Sequence, residues 1–313
     1  MPIQSKWQSL PTEQINPASL AIDKAPVRDI IDLVNNEDRK VIAAVHKEKE
    51  KIAHGVEIIV QSLRKGGRVI FIGAGTSGRL GVVEAAEMPP TFGTPPRLVQ
   101  AIMAGGQAAV FQAKEGVEDN YEEGGRSIGR LRLSSRDVVI GVSASGITPF
   151  VRGGLTRGRK AGAKIIFVTC WPGSELSNFV DLIIAPSVGP EIIAGSTRLK
   201  AGTATKMVLN MLTTVAMIKW GKTYGNLMVD VRTGSEKLKD RAKRILGVVT
   251  GLEPEAAEAL LKRAKWNVKA AIVMEKAKLT LPQAMKRLRK ADNSVREAIG
   301  EDIEPRLRQL LGI

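Results

Sequence analysis

The sequence predicts an α/β fold, a doubly wound parallel sheet with helices on both faces, followed by a small helical module. Three observations predict it. Five short apolar runs rich in branched residues recur at residues 68–72, 98–102, 137–142, 164–169 and 182–185. Each ends in a glycine or polar turn, and the intervening lengths suit crossover helices, as in parallel strands buried on both sides. The chain has 313 residues, whereas a single domain usually takes roughly 100–200, so one large domain with an appendage is expected.

The elements follow in chain order. The amino-terminal run MPIQSKWQSLPTEQINPASLAID is polar and lacks the apolar core of a secretory signal. No later stretch approaches the ~20 apolar residues of a membrane span, and the expected location is the cytoplasm. Residues 26–63 read as helical and as packing on the core, with a polar stretch at 35–40 between apolar periods. The five strands and their crossovers come next. Residues 199–220 carry Met207, Leu209, Met211, Leu212, Val215 and Ile218 at helical spacing, which predicts a long, largely buried helix. After Gly251, residues 252–288 read as three short helices broken near Asn267 and near Pro282. The expected division is an amino-terminal helical segment (1–65), the sheet domain (66–245) and a helical module (246–313).

Composition excludes several classes. Apolar residues make up 43% of the chain, ordinary for a protein with a real core, and 31 Gly and 15 Pro are spread without repetition. The lone Cys170 cannot form an internal disulfide or a cysteine metal cluster and reads as a small buried apolar residue. His46 and His54 lie in the amino-terminal helical region, and no metal site is expected. The net charge is +15, from 47 basic and 32 acidic residues. From Val231 onward 19 basic residues face 11 acidic ones, a net +8, so more than half of the excess is carboxyl-terminal. The cluster of Lys286, Arg287, Arg289 and Lys290 reads as a solvated helix face. Neither aromatic interleaving nor zinc-finger spacing accompanies it, and nucleic acid is not the expected partner.

In doubly wound sheets ligands bind outside the carboxyl ends of the strands, so chemistry is expected in the loops after the first three strands. The first strand runs into Gly73-Ala74-Gly75-Thr76-Ser77-Gly78-Arg79, a glycine-rich turn entering a helix, where backbone N–H groups and the helix dipole favour an anion. The second strand ends in Met103-Ala104-Gly105, without the acidic residue that would hold a dinucleotide ribose. A P-loop is excluded by the missing Gly-Lys-Ser/Thr ending. The third strand runs into Ser143-Ala144-Ser145-Gly146-Ile147-Thr148-Pro149. Two such loops side by side form a phosphate cradle of neutral donors, suited to a phosphate that anchors a substrate rather than reacts.

Five carboxylates are candidates for acid and base work. Glu84 and Glu87 lie one turn apart on the helix after the first loop and are expected to share a face. Glu115, Glu118 and Asp119 lie around the end of the helix following the second strand. One from each group can divide acid and base roles across a pocket if their environments differ. Spacing does not choose the pair.

Several separate motifs then fall into one order. IGAGTSGRLGVVEAAEMPPTFG (72–93), AGG…KEGVED (104–119), SASGITPF, GSTRLKAGTATKMVLNM (195–211) and GKTYGNLMVDV (221–231) resemble the N-acetylmuramic acid 6-phosphate etherase family, from about Asn16 to near Leu288. The resemblance implies a sugar isomerase (SIS) domain, a three-layer α/β/α sandwich with a flavodoxin-like parallel sheet, plus a small carboxyl-terminal three-helix module similar to ubiquitin-associated (UBA) domains. It also implies cleavage of the lactyl ether at C3 of N-acetylmuramic acid 6-phosphate, giving N-acetylglucosamine 6-phosphate and D-lactate. In the open-chain aldehyde the carbonyl acidifies the C2 proton. A carboxylate removes that proton, a carboxylic acid protonates the departing lactate, and water adds at C3, with no cofactor.

By the same resemblance Glu118 is the base at C2 and Glu87 the acid that assists lactate. Thr76, Ser77, Ser143, Ser145 and Thr148 bind the phosphate, and Ser196, Thr197 and Lys200 reach the sugar. The family also implies a homodimer with the site near its interface. Many members carry Asp-Ala-Ser-Glu at positions 84–87, Cys at 88 and Arg at 147, where this chain has Glu84-Ala85-Ala86-Glu87, Met88 and Ile147. Two other readings share the cradle. One is a regulator that senses sugar phosphates without turnover, for which a paired acid and base would have no use. The other is an aldose–ketose isomerase, against which the etherase motifs argue.

Overall fold

The computed structural model describes residues 10–313. Its sheet contains β1 (Val69–Gly73), β2 (Val99–Met103), β3 (Val138–Val142), β4 (Lys164–Val168) and β5 (Leu182–Ile184). They stand in the order β2-β1-β3-β4-β5 with every neighbouring pair parallel. Each strand begins and ends within one residue of its expected bounds. All residues of β1 and β3 are buried, which explains why their sequences are continuously apolar rather than alternating. The strand order reverses at β1, whose neighbours are β2 and β3, so the loops leaving β1 and β3 part to form a crevice. Gly73 pairs with Val142, which sets the carboxyl ends of these two strands level.

Helices α1 (Val27–Lys47) and α2 (Lys49–Arg64) precede the sheet. The crossovers contain α3 (Gly75–Phe92), α4 (Ala108–Phe111), α5 (Tyr121–Gly129) and α6 (Pro149–Lys160), and α7 (Lys200–Lys219) follows β5. Ile70, Ile72, Val139, Ile165 and Phe167 of the strands pack with Ile128, Phe150 and Leu155 of α5 and α6 in one core. Helices α5 and α6 meet backbone to backbone. A Cβ on Gly124 would collide with the Phe150 carbonyl, and one on Gly153 with the Tyr121 carbonyl, so only glycine permits this approach.

Helix α1 passes unbroken through the polar stretch at 35–40 because one of its polar residues points inward. Glu37 is buried, accepts from Asn16 Nδ2 at 3.0 Å and pairs with Lys200 Nζ at 2.5 Å. Lys200 is itself 2% exposed. The neighbouring Glu191, also buried, accepts from the backbone N–H groups of Lys200 and Ala201, which fixes the start of α7.

The chain forms two compact units, one reaching residue 86 and resuming at 97–213, the other containing 87–96 and 214–313. The second unit holds α8 (Glu236–Thr250), α9 (Pro254–Arg263), α10 (Val268–Ala277), α11 (Leu281–Lys290), α12 (Val295–Ile299) and α13 (Glu304–Leu311). The three expected short helices are α9, α10 and α11. Asn267 caps α10 by accepting from Ala270 N, and Thr280 with Gln283 forms a capping box that spans Pro282. Tyr224, Leu246, Val249, Leu261, Ile272 and Leu288 belong to this unit's own core. Lys269 is buried within it, bonded to the carbonyls of Gly221 and Asn293 and paired with Asp230 at 2.6 Å. Lys286, Arg287, Arg289 and Lys290 are all exposed on α11. Among the described residues no helix is long and apolar enough to cross a membrane.

Candidate active site

A cleft of about 240 Å³ opens at the carboxyl ends of β1, β2 and β3. Its first wall is the turn from β1 into α3. Gly73 and Gly78 let strand and helix touch, since a Cβ on either would stand under 3.0 Å from the other's backbone. Helix α3 begins at Gly75, inside the glycine-rich turn, which places Thr76 and Ser77, both lining the cleft, in its first turn, where backbone N–H groups have no partner within the helix.

The second wall is the loop after β3. Ser143 Oγ lies 2.7 Å from Thr148 Oγ1 and 3.4 Å from Ser145 Oγ, so three hydroxyls form one hydrogen-bonded group in the cleft. Gly146 turns the loop at φ +77°, a conformation that leaves little place for a side chain. Its carbonyl accepts from Ser174 Oγ at 2.8 Å, while Thr169 Oγ1 and the Cys170 N–H both donate to the Ala144 carbonyl. The loop is thus braced by the segment that follows β4. Cys170 is buried as expected, and burial pushes its thiol up to about 12, so it stays protonated and unreactive at neutral pH.

The third wall is the segment after β2. Arg79 of α3 reaches across to it, with Nε donating to the Val110 carbonyl at 2.9 Å and a terminal nitrogen to the Ala109 carbonyl at 2.8 Å. Beyond α4 the chain passes Lys114 and Glu115 and enters a single 3-10 turn, Val117–Asp119, led by Gly116 at φ +76°. Val117 packs against the sheet core, and Glu118 is held half-buried at the cleft.

Seven of the ten residues expected at the site line this cleft: Thr76, Ser77, Glu118, Ser143, Ser145, Thr148 and Thr197. The other three do not. Lys200 is buried outside the cleft lining, its ammonium paired with the buried Glu37. Ser196 stands half-buried next to Thr197 but does not line the cleft. Glu87 is exposed on α3 and also does not line it. Nor do Glu84 and Glu87 share surroundings, as their spacing suggested. Glu84 is buried, paired with Lys206 Nζ at 2.5 Å and bonded by Thr213 Oγ1 at 2.6 Å, so it ties α3 to α7. Of the other candidate carboxylates, Glu115 lines the cleft with Glu118, whereas Asp119 is exposed outside it.

Sequence reasoning overlooked Arg79 and Lys114, the two cations of the cleft. Arg79 stood within the glycine-rich motif, and Lys114 directly before the acidic cluster. Their positions were visible, but the direction of their side chains was not.

The parallel sheet in the order β2-β1-β3-β4-β5, with hydroxyl-bearing loops at the carboxyl ends of β1 and β3, is a doubly wound, flavodoxin-like sheet, and the residues that form its first three strands match a SIS-type domain. A family model, the glucokinase regulatory protein N-terminal SIS domain, matches residues 51–158. Full-length relatives narrow this further, and the chain belongs to the N-acetylmuramic acid 6-phosphate etherase family. It is 49% identical over 296 residues to the member from Salinibacter ruber, covering 94% of this chain and 95% of that one. To the member from Thermosynechococcus vestitus it is 50% identical over 263 residues, covering 84% and 85%. Among solved structures, a phosphoheptose isomerase from Francisella tularensis is similar at 20% identity and a TM-score of 0.46, covering 60% of this chain and 98% of that one. A phosphoheptose isomerase from Neisseria gonorrhoeae reaches 0.47 at 15% identity, covering 61% and 98%.

Proposed function

We propose that this chain cleaves the C3 lactyl ether of N-acetylmuramic acid 6-phosphate, by elimination and then water addition, releasing D-lactate and N-acetylglucosamine 6-phosphate. The observation that carries this reading is the convergence of Thr76, Ser77, Ser143, Ser145 and Thr148 with Glu118 on one cleft. The hydroxyls and the start of α3 hold the 6-phosphate as a fixed anchor. Glu118 removes the C2 proton of the open-chain sugar, the C2–H electrons form the C2–C3 double bond, and the C3–O electron pair leaves with lactate. An acid protonates that oxygen, and water then adds at C3 while C2 takes a proton back.

The acid is Glu87, supplied by a second copy of the chain. Helix α3 starts at the cleft, and Glu87 lies twelve residues beyond Gly75, a rise of about 18 Å at 1.5 Å per residue. A hexose anchored at the start of α3 does not span that distance. The exposed position of Glu87 instead suits delivery to the cleft of a partner in a homodimer. The site then joins a base and an acid from different copies.

Incubation of the purified chain with N-acetylmuramic acid 6-phosphate tests the reading. Stoichiometric D-lactate supports it. Binding of the sugar phosphate without lactate supports a sensing regulator instead.

A further inference from the structure

The substrate of the proposed reaction is anionic at two places, the 6-phosphate and the carboxylate of the lactyl group, and the inference below rests on that reading. The hydroxyl cradle accounts for the first anion. Four charged side chains line the same cleft, Arg79 and Lys114 against Glu115 and Glu118. Arg79 is occupied with the carbonyls of Ala109 and Val110. Lys114 is different. Among the described residues no carboxylate lies within ion-pair distance of its ammonium, in contrast to Lys206, which Glu84 takes up. Its methylene stem packs over Gly105, with Cδ 3.3 Å from where a Cβ of that glycine would stand, and the residue lines the cleft.

The base works at C2 and the ether oxygen departs from C3, the adjacent carbon. The lactyl carboxylate is therefore brought to the same part of the cleft as Glu118 and Glu115. Three carboxylates gathered there repel one another unless a cation stands among them. Lys114 lies four residues before Glu118 on the same wall. A lysine suits the task, as a point charge on a flexible stem that follows the lactate as it leaves.

We infer that Lys114 is a specificity-determining residue whose ammonium pairs with the lactyl carboxylate and so distinguishes the ether substrate from the same sugar phosphate without it. Calorimetric titration of the full chain in a Glu118→Gln background, which stops turnover, tests this with Lys114 retained or changed to Met or Arg. Lys114→Met is expected to weaken N-acetylmuramic acid 6-phosphate about tenfold, the worth of one charge-assisted hydrogen bond, and to leave N-acetylglucosamine 6-phosphate within about twofold. Lys114→Arg keeps most of the preference. Equal weakening of both ligands assigns the lysine to the phosphate and overturns the inference, as does no change in either. Lactate release by the unaltered chain reports on the reaction separately, so the two failures are distinguishable.

Discussion

Glu37 Oε2 and Lys200 Nζ meet at 2.5 Å, both side chains almost fully buried, across 163 residues of chain. The pair holds the amino terminus of α7 and, with Asn16 Nδ2 donating also to the Pro190 carbonyl, fastens the segment that brings Thr197 to the cleft. Burial raises the Glu37 carboxyl, but hydrogen bonds from Lys200, Lys40 and Asn16 outweigh it and hold the group at about 2, against an ordinary 4.5.

A depressed folded-state value means that this pair stabilises the fold fully above pH 4.5 and loses its contribution as pH falls from 4.5 toward about 2. Urea unfolding of the parent chain and Glu37→Gln across that interval checks it. The gap between the two midpoints should be widest near neutrality and shrink on acidification. A gap independent of pH would show that the carboxylate charge contributes nothing.

Ser143 sits at the centre of the hydroxyl group in the cleft, within reach of both Ser145 and Thr148. Ser143→Ala removes one direct donor and loosens the other two. It should raise KM for the sugar phosphate about tenfold while the unfolding midpoint stays near that of the parent. Steady-state kinetics with parallel thermal melts measures both.

The contact of α5 with α6 leaves no room at Gly153, where a Cβ would strike the Tyr121 carbonyl. Gly153→Ala should destabilise the chain by about 3 kcal/mol through forced separation of the helices, although alanine favours helix at an exposed site. Denaturant unfolding gives the value, and an unchanged midpoint would contradict the backbone contact.

Glu87 and Glu118 acting from different copies predicts complementation. Glu87→Gln and Glu118→Gln, each nearly inactive alone, should recover about a quarter of parental lactate release when co-expressed, because half of the random dimers are mixed and each of those holds one intact site. No recovery would place both groups in one chain's site.

The sheet was legible because its strands are buried on both faces and their sequences carry no competing pattern. Glycine-rich and serine-rich turns at the ends of β1 and β3 then located the cleft, since such folds bind at those ends. Long charged side chains were not legible. Lys200 lies in a motif dense with polar residues, and nothing local reveals that its partner is Glu37 in α1. Likewise helical spacing placed Glu84 and Glu87 on one side of α3, but only the packing of α7, with Lys206 and Thr213, buries the first and leaves the second exposed. The short helices α4, α12 and α13 fall below the length at which periodicity separates helix from turn.

The central claim is that Glu118 takes the C2 proton of a sugar phosphate whose lactyl group departs from C3. Turnover in deuterium oxide, read by mass spectrometry and proton resonance, tests it most directly. The parent chain should release D-lactate and leave one deuteron at C2 of N-acetylglucosamine 6-phosphate. Glu118→Gln should lose C2 exchange and lactate release together, by roughly a hundredfold to ten-thousandfold, the span expected for removal of a general base. Glu87→Gln should slow lactate release while retaining some exchange. Lactate released without deuterium at C2, or undiminished exchange in Glu118→Gln, would contradict the account.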